Sequence, residues 1–233
     1  MAKKIILSAI ICLLCTTAFA QRNHDHLVPT RGVFDMWDWR FEYDSRVREV
    51  LFDGLSNRPI VRFLTLPSFH PERVVEIIGE PDNFFIGGDR RFFIVYHISE
   101  QQIWMNQDLA NVKVQRYRTE IDIESVKLIR SLFGVATSQV RFPETIICEE
   151  SGMMIISIGL DGTDYYFIYD CQSGRRSGTV WSPPERSKMR RLVDIGNRLI
   201  DLAKSEQEKV RFDDEFQKEI QQLIDDLTLS STN

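Results

Sequence analysis

Four histidines, His24, His26, His70 and His97, are the side chains of this 233-residue chain whose protons move most readily near neutral pH. His24-Asp25-His26 sets two imidazoles one residue apart, the beginning of a metal site. A site of that kind needs about four ligands in fixed geometry, and none accompanies them in this polar leader. A solvated tail is therefore expected, with no metal and no cofactor. His70 precedes an apolar-periodic segment opening at Pro71, where its ring can accept from the free amides of a helix start. His97 closes an aromatic strand and, by alternation, faces away from Tyr96. Either can serve as a general base. No nucleophile or partner carboxylate is identifiable beside them, so structural roles are expected. A secreted hydrolase with a histidine base is the alternative.

Asp161-Gly162-Thr163-Asp164 echoes an aspartyl phosphotransferase motif, but Gly159 stands where the catalytic aspartate belongs, so a turn is expected. The chain holds no Gly-x-Ser-x-Gly, no His-Glu-x-x-His and no phosphate-cradling glycine loop. More distinctive is the stretch from Arg175 to Arg191. Arg175, Arg176, Arg186, Lys188, Arg190 and Arg191 against Glu185 leave a local charge of +5 in an acidic protein. Trp181 stands among them in a Ser-, Gly-, Arg- and Pro-rich segment, 172–186, that reads as a loop. Arginine with an exposed aromatic is the composition of binding hot spots, which makes Trp181, Arg175, Arg176 and Arg186 the candidate binding residues. The competing expectation is that Trp181 plugs the core edge while the arginines pair with an acidic C-terminal segment that includes Glu206, Asp213, Glu219 and Asp226.

Those residues need an address and a scaffold. Lys3-Lys4, the apolar run Ile5–Leu14 and the small residues of Ala18-Phe19-Ala20 form the pattern of a cleavable secretory signal over 1–20. Its apolar run is about half of the roughly 20 residues that cross a bilayer, and Ile11 and Leu14 before Cys12 and Cys15 do not suit lipidation. Export to a periplasm or beyond is expected, with no transmembrane segment in the mature chain. Losing Lys3 and Lys4 takes the net charge from −5 to −7, which gives no support for nucleic-acid binding. With 43% apolar and 11% aromatic residues, the remaining chain can bury a core.

The periodicities then predict the elements. Residues 21–34 read as a flexible leader, 35–228 as a single domain and 229–233 as a tail. Trp37, Trp39, Phe41 and Tyr43 alternate with polar residues as in a strand. Val47, Val50 and Leu51 suggest a short helix ended near Gly54, and Ile60–Leu66 a strand. Pro71-Glu72-Arg73 opens a helix whose apolar residues are Val74, Val75, Ile77 and Ile78, closed by Gly79 and Pro81. Residues 84–86 and 91–98 flank a Gly87-Gly88-Asp89 turn as a hairpin. A strand over 112–121 leads to a helix capped by Asp122. Strands near 145–148, 153–160 and 163–171 form a meander, the last two joined at Asp161-Gly162. Helices at 187–204 and 212–227 end the domain. The class is α+β: a mostly antiparallel sheet of hairpins with several amphipathic helices, two of them C-terminal.

Only Cys148 and Cys171 remain in the mature chain, and an exported protein invites their pairing. On the outer strands of the expected meander they would lie roughly 9–10 Å apart, beyond the ~7 Å between Cα atoms that a disulfide tolerates. A bend at Cys171 could close the gap, so the pairing stays open.

The run from Phe69 through Pro71, Gly79 and Pro81 to Asp82, followed by a strand ending in Tyr96, within residues 69–98, resembles small exported modules. These are of the outer-membrane assembly lipoprotein (BamE-like) and β-lactamase-inhibitor-protein-like kind. The resemblance covers about 30 of the 233 residues. It departs from them in entering through Ser68-Phe69-His70 and in lacking a lipidation site. It implies a binding or scaffolding module, not an enzyme. The expectation is thus a non-catalytic module of the cell envelope whose partner is a protein or envelope component. A structural subunit of an envelope assembly is a further alternative.

Overall fold

Val74, Val75, Ile77 and Ile78 are β-branched, stiff at χ1 and better fitted to a pleat than to a helix. In the computed structural model, which describes residues 25–30, 42–80, 90–142, 146–147, 154–155 and 161–230, the segment Arg73–Glu80 is a strand and not the expected helix. It is covered on both faces, so its apolar residues run together instead of alternating, and period alone misreads it. The helix that carried the resemblance is therefore replaced by a strand.

In chain order the elements are α1 (Glu42–Leu51), β1 (Val61–Pro67), β2 (Arg73–Glu80), β3 (Arg91–Ser99), β4 (Val114–Ile121), α2 (Ile123–Ser138), β5 (Ile146–Ile147), β6 (Met154–Ile155), β7 (Thr163–Cys171), β8 (Gly174–Trp181), α3 (Lys188–Ala203), β9 (Lys209–Val210) and α4 (Asp214–Ser230). Seven strands form one sheet in the order β8-β7-β1-β2-β3-β4-β9, antiparallel except where β9 joins β4. The class is α+β, with α3 and α4 the two C-terminal helices.

One face of the sheet carries α2, α3 and α4 over Phe63, Ile77, Phe92, Tyr96 and Phe167. Helix α3 comes so close that a Cβ on Gly196 would sit 2.6 Å from the Phe63 ring. Asp122 caps α2 by accepting from the amides of Glu124 and Ser125, as its position predicts, and Ser187 caps α3. The other face carries α1, whose Val47, Val50 and Leu51 pack over Leu64, Leu66, Val74, Tyr166 and Ile168. On that face the cross-strand partners Arg62 and Glu76 form a buried ion pair, Arg62 Nε donating to Glu76 Oε2 at 2.8 Å. Glu76 Oε1 accepts from the Ser56 amide at 2.8 Å.

Several expectations are corrected. Glu42 and Tyr43 begin α1 and do not end a strand; residues 37–41 lie outside the described residues. β3 pairs with β2, Glu80 opposite Arg91, and the expected partner at 84–86 lies outside the described residues. β7 is flanked by β1 and β8, so neither β5 nor β6 pairs with it as the expected meander required; β5 and β6 pair with each other in a separate ribbon. Residues 174–181 are strand β8, not loop, turned back from β7 through Gln172-Ser173 with Gly174 at φ +117°. Within the expected flexible leader, the described residues 25–30 are held against the sheet. Val28 bridges Thr179 on the β8 edge in both directions, 2.9 and 2.8 Å, and His26 and Leu27 are buried. Cys171 is a free thiol with Sγ 3.1 Å from the Gly174 carbonyl oxygen, while Cys148 lies outside the described residues. No described helix is long and apolar enough to cross a membrane.

Candidate functional site

Helix α1 lies on the sheet through its apolar stripe, which turns Tyr43 and Arg46 toward the connection between β3 and β4. Tyr43 Oη donates to Glu72 Oε1 at 2.9 Å, and an Arg46 guanidinium nitrogen donates to the Ile103 carbonyl at 3.1 Å. Glu72 is 0% exposed, and a carboxylate so placed must have its lone pairs met by donors. Its Oε2 accepts from the Ile103 amide at 2.9 Å and from Ser99 Oγ at 3.3 Å. The Trp104 amide stands 3.4 Å from Oε1. One buried side chain thereby ties α1 to the turn that presents Trp104.

A second knot lies at Ser68. Its amide and its hydroxyl both donate to the Gly162 carbonyl, at 2.8 and 2.9 Å, and the Gly162 amide lies 3.1 Å from Ser68 Oγ. Gln102 Nε2 donates to the Ser68 carbonyl at 3.3 Å. Four segments of the chain, 42–46, 66–69, 102–104 and 161–164, are thus drawn together around an open cleft of about 650 Å³. Leu66 and Pro67 are among its lining residues, with the exposed rings of Phe69 and Trp104, 65% and 51% accessible. Among the described residues, Glu42, Asp161 and Asp164 bring three carboxylates to it and Arg46 one cation.

Asp164 is the unusual member. Among the described residues its carboxylate has no hydrogen-bond partner, and burial, then the charge of Asp44, raise its pKa from 3.8 to about 6. Burial, then Glu72, push the Tyr43 phenol above its usual range; burial, then Asp164 and Asp44, do the same for Tyr166. A cleft lined by two exposed aromatic side chains and, among the described residues, by more carboxylates than cations is chemistry for holding a ligand.

The residues expected from sequence are not gathered into one surface. Trp181, 40% exposed, is the cross-strand neighbour of Asp164 and shares its sheet face beside the cleft. Its indole lies against the Gly162 turn, where a Cβ would meet Trp181 Cε2 at 2.5 Å. Arg175, at the far end of β8, is engaged with Asp170 at 2.8 Å and the Asn57 carbonyl at 2.7 Å. Arg176 points to the opposite face by alternation and is exposed; Arg186 is exposed in the loop before α3. Part of the basic stretch does meet the acidic segment, Arg191 pairing with Asp226 at 2.5 Å.

The histidines stand elsewhere. His97 is 3% exposed, with Nδ1 2.9 Å from the Leu51 carbonyl oxygen, and its pKa is lowered, burial being the largest cause. His70 is exposed. Neither lines the cleft, and among the described residues neither meets a carboxylate in hydrogen-bond reach. No group of His, Cys, Asp and Glu suited to a metal ion occurs among the described residues. Trp104 and Glu72 escaped sequence reasoning, although a tryptophan-methionine pair inside the polar run Gln101–Asp108 was a usable signal. No protein-family model matches the chain, and no curated protein or solved structure is significantly similar to it.

Proposed function

We propose that this protein is a non-catalytic binding module of the cell envelope that holds its ligand in the cleft between α1 and the 66–69, 102–104 and 161–164 segments. The observation that carries the reading is the pinned Trp104. Its backbone is held to a buried carboxylate, yet the residue stays about half exposed at a cleft that Phe69 also lines. Large aromatic side chains kept rigid and exposed over a concave site are the usual anchors of recognition. Export is supported by the charge, apolar run and small-residue pattern of residues 1–20. Trp181, one strand outward on the same face, extends the aromatic rim.

The test compares partners retained from envelope fractions by the wild-type chain and by Trp104→Ala, Trp181→Ala and Arg176→Ala variants with unchanged circular dichroism. Loss of a partner in Trp104→Ala, with Arg176→Ala unaffected, supports the cleft. Identical partner sets for wild type and Trp104→Ala overturn it.

A further inference from the structure

Resting on that reading, we propose that the occupant of the cleft is a basic peptide segment. The ammonium or guanidinium of one lysine or arginine lodges among Asp164, Asp161 and Glu42, and its methylene stem lies along Trp104 and Phe69.

Charge complementarity selects the sign. Among the described residues, three carboxylates line the cleft against the guanidinium of Arg46, and that guanidinium is already donating to the Ile103 carbonyl. An anionic ligand would meet repulsion from those carboxylates, and the Arg46 cation that could offset it is already engaged. Asp164 sharpens the preference. It sits beside the buried Asp44 and has no hydrogen-bond donor of its own among the described residues, so a cation arriving there relieves a repulsion already present in the fold. Its raised pKa points the same way.

The aromatic faces select the shape. A cation over an indole or phenyl face is attracted by the ring's quadrupole, the more strongly as water is removed. A lysine or arginine also carries an apolar stem that covers such rings while its head stays polar. A compact inorganic cation would use neither ring. The cleft, about 650 Å³, is far larger than one amine requires and leaves room for the residues on either side of the basic one. Met105, exposed next to Trp104 in the chain, offers a further adaptable apolar contact.

The experiment is calorimetric titration of the exported chain with four probes. They are an acetylated, amidated Ala-Ala-Lys-Ala-Ala peptide, its norleucine and glutamate counterparts, and butylamine alone. The proposal expects saturable binding of the lysine peptide, at least tenfold weaker binding of the norleucine peptide, and none of the glutamate peptide. Butylamine should bind at least tenfold more weakly than the lysine peptide. Asp164→Asn and Asp161→Asn should each weaken the lysine peptide about five- to tenfold without changing the norleucine peptide. Equal affinity for lysine and norleucine peptides, both abolished by Trp104→Ala, would overturn the cationic assignment while leaving the cleft as the binding site. Butylamine binding as tightly as the peptide would overturn the peptide assignment. Absence of saturable lysine-peptide binding to millimolar concentration overturns the proposal; with unchanged partner retention by Trp104→Ala, the cleft reading falls too.

Discussion

Tyr43 and Glu72 meet across 29 residues of sequence, the phenol donating to the carboxylate at 2.9 Å. Through that bond α1 is joined to the turn bearing Trp104, and the cleft takes its shape from a fully buried side chain. Glu72→Ala should leave the amide of Ile103 and the hydroxyls of Ser99 and Tyr43 without their acceptor, a loss of about 2–3 kcal/mol. Tyr43→Phe, which removes one donor among several, should cost about 1 kcal/mol. Urea denaturation checks both, and equal stability of wild type and Glu72→Ala would show that Glu72 does not organise the site.

Asp164 should make the protein less stable as pH rises from about 4 to about 6. Its folded pKa, about 6, exceeds its ordinary 3.8, so the folded state binds more protons in that window and stability falls as they leave. The groups facing it are Glu42, Tyr43, Asp44 and Arg46 from α1, Tyr166 on its own strand and the preceding Asp161. A fully buried carboxyl shifted this far would cost about 3 kcal/mol; solvent at the cleft mouth reduces that to about 1–2 kcal/mol. Asp164→Asn should accordingly be the more stable protein at pH 7, with the difference vanishing by pH 4. A variant less stable than wild type at pH 7 contradicts this.

His97 acts in the opposite sense. Its pKa is lowered, first by burial and also by the charge of Arg116, with the Leu51 carbonyl opposing. The unfolded chain therefore takes up the proton more readily, and stability is lost as pH falls below about 6.5. His97→Gln should lose less stability than wild type between pH 7 and 5, measured by thermal unfolding. Parallel curves for the two proteins would remove His97 as the titrating group.

Much of the scaffold was legible. Asp122 marked a helix start because a short acceptor is needed there, and Ile60–Leu66 and 163–171 had strand composition between turn residues. The strand at Arg73–Glu80 was hidden because burial on both faces erases alternation. β8 was hidden because Gly174, Ser177 and Gly178 are the small residues of loops; Gly178 is small because Leu27 and Val140 press on it, a Cβ there meeting each at 2.7 Å. The cleft was least legible. Ser68 and Gly162 lie 94 residues apart, and nothing in local pattern reports a pairing set by the order of strands β7 and β1. Asp164 was visible only as part of a turn, since its altered acidity comes first from burial in the fold and then from Asp44 on another element.

The buried pair Arg62–Glu76 offers a test of the face on which α1 rests. Glu76→Gln should cost about 3–5 kcal/mol, because Arg62 keeps its charge in a site with 4% exposure. The joint replacement Arg62→Met with Glu76→Leu should cost less than the single change. A double-mutant cycle in urea measures the coupling, and additive losses would mean the two side chains act independently.

Where a ligand rests decides the account most directly. Hydrogen–deuterium exchange, followed with and without saturating lysine peptide, reads the segments separately. Slower exchange at 102–104 and 161–164, with 175–178 and 184–187 unchanged, is the predicted result. Protection confined to the arginine-bearing 175–186 stretch would contradict it and return the binding surface to β8 and the loop after it.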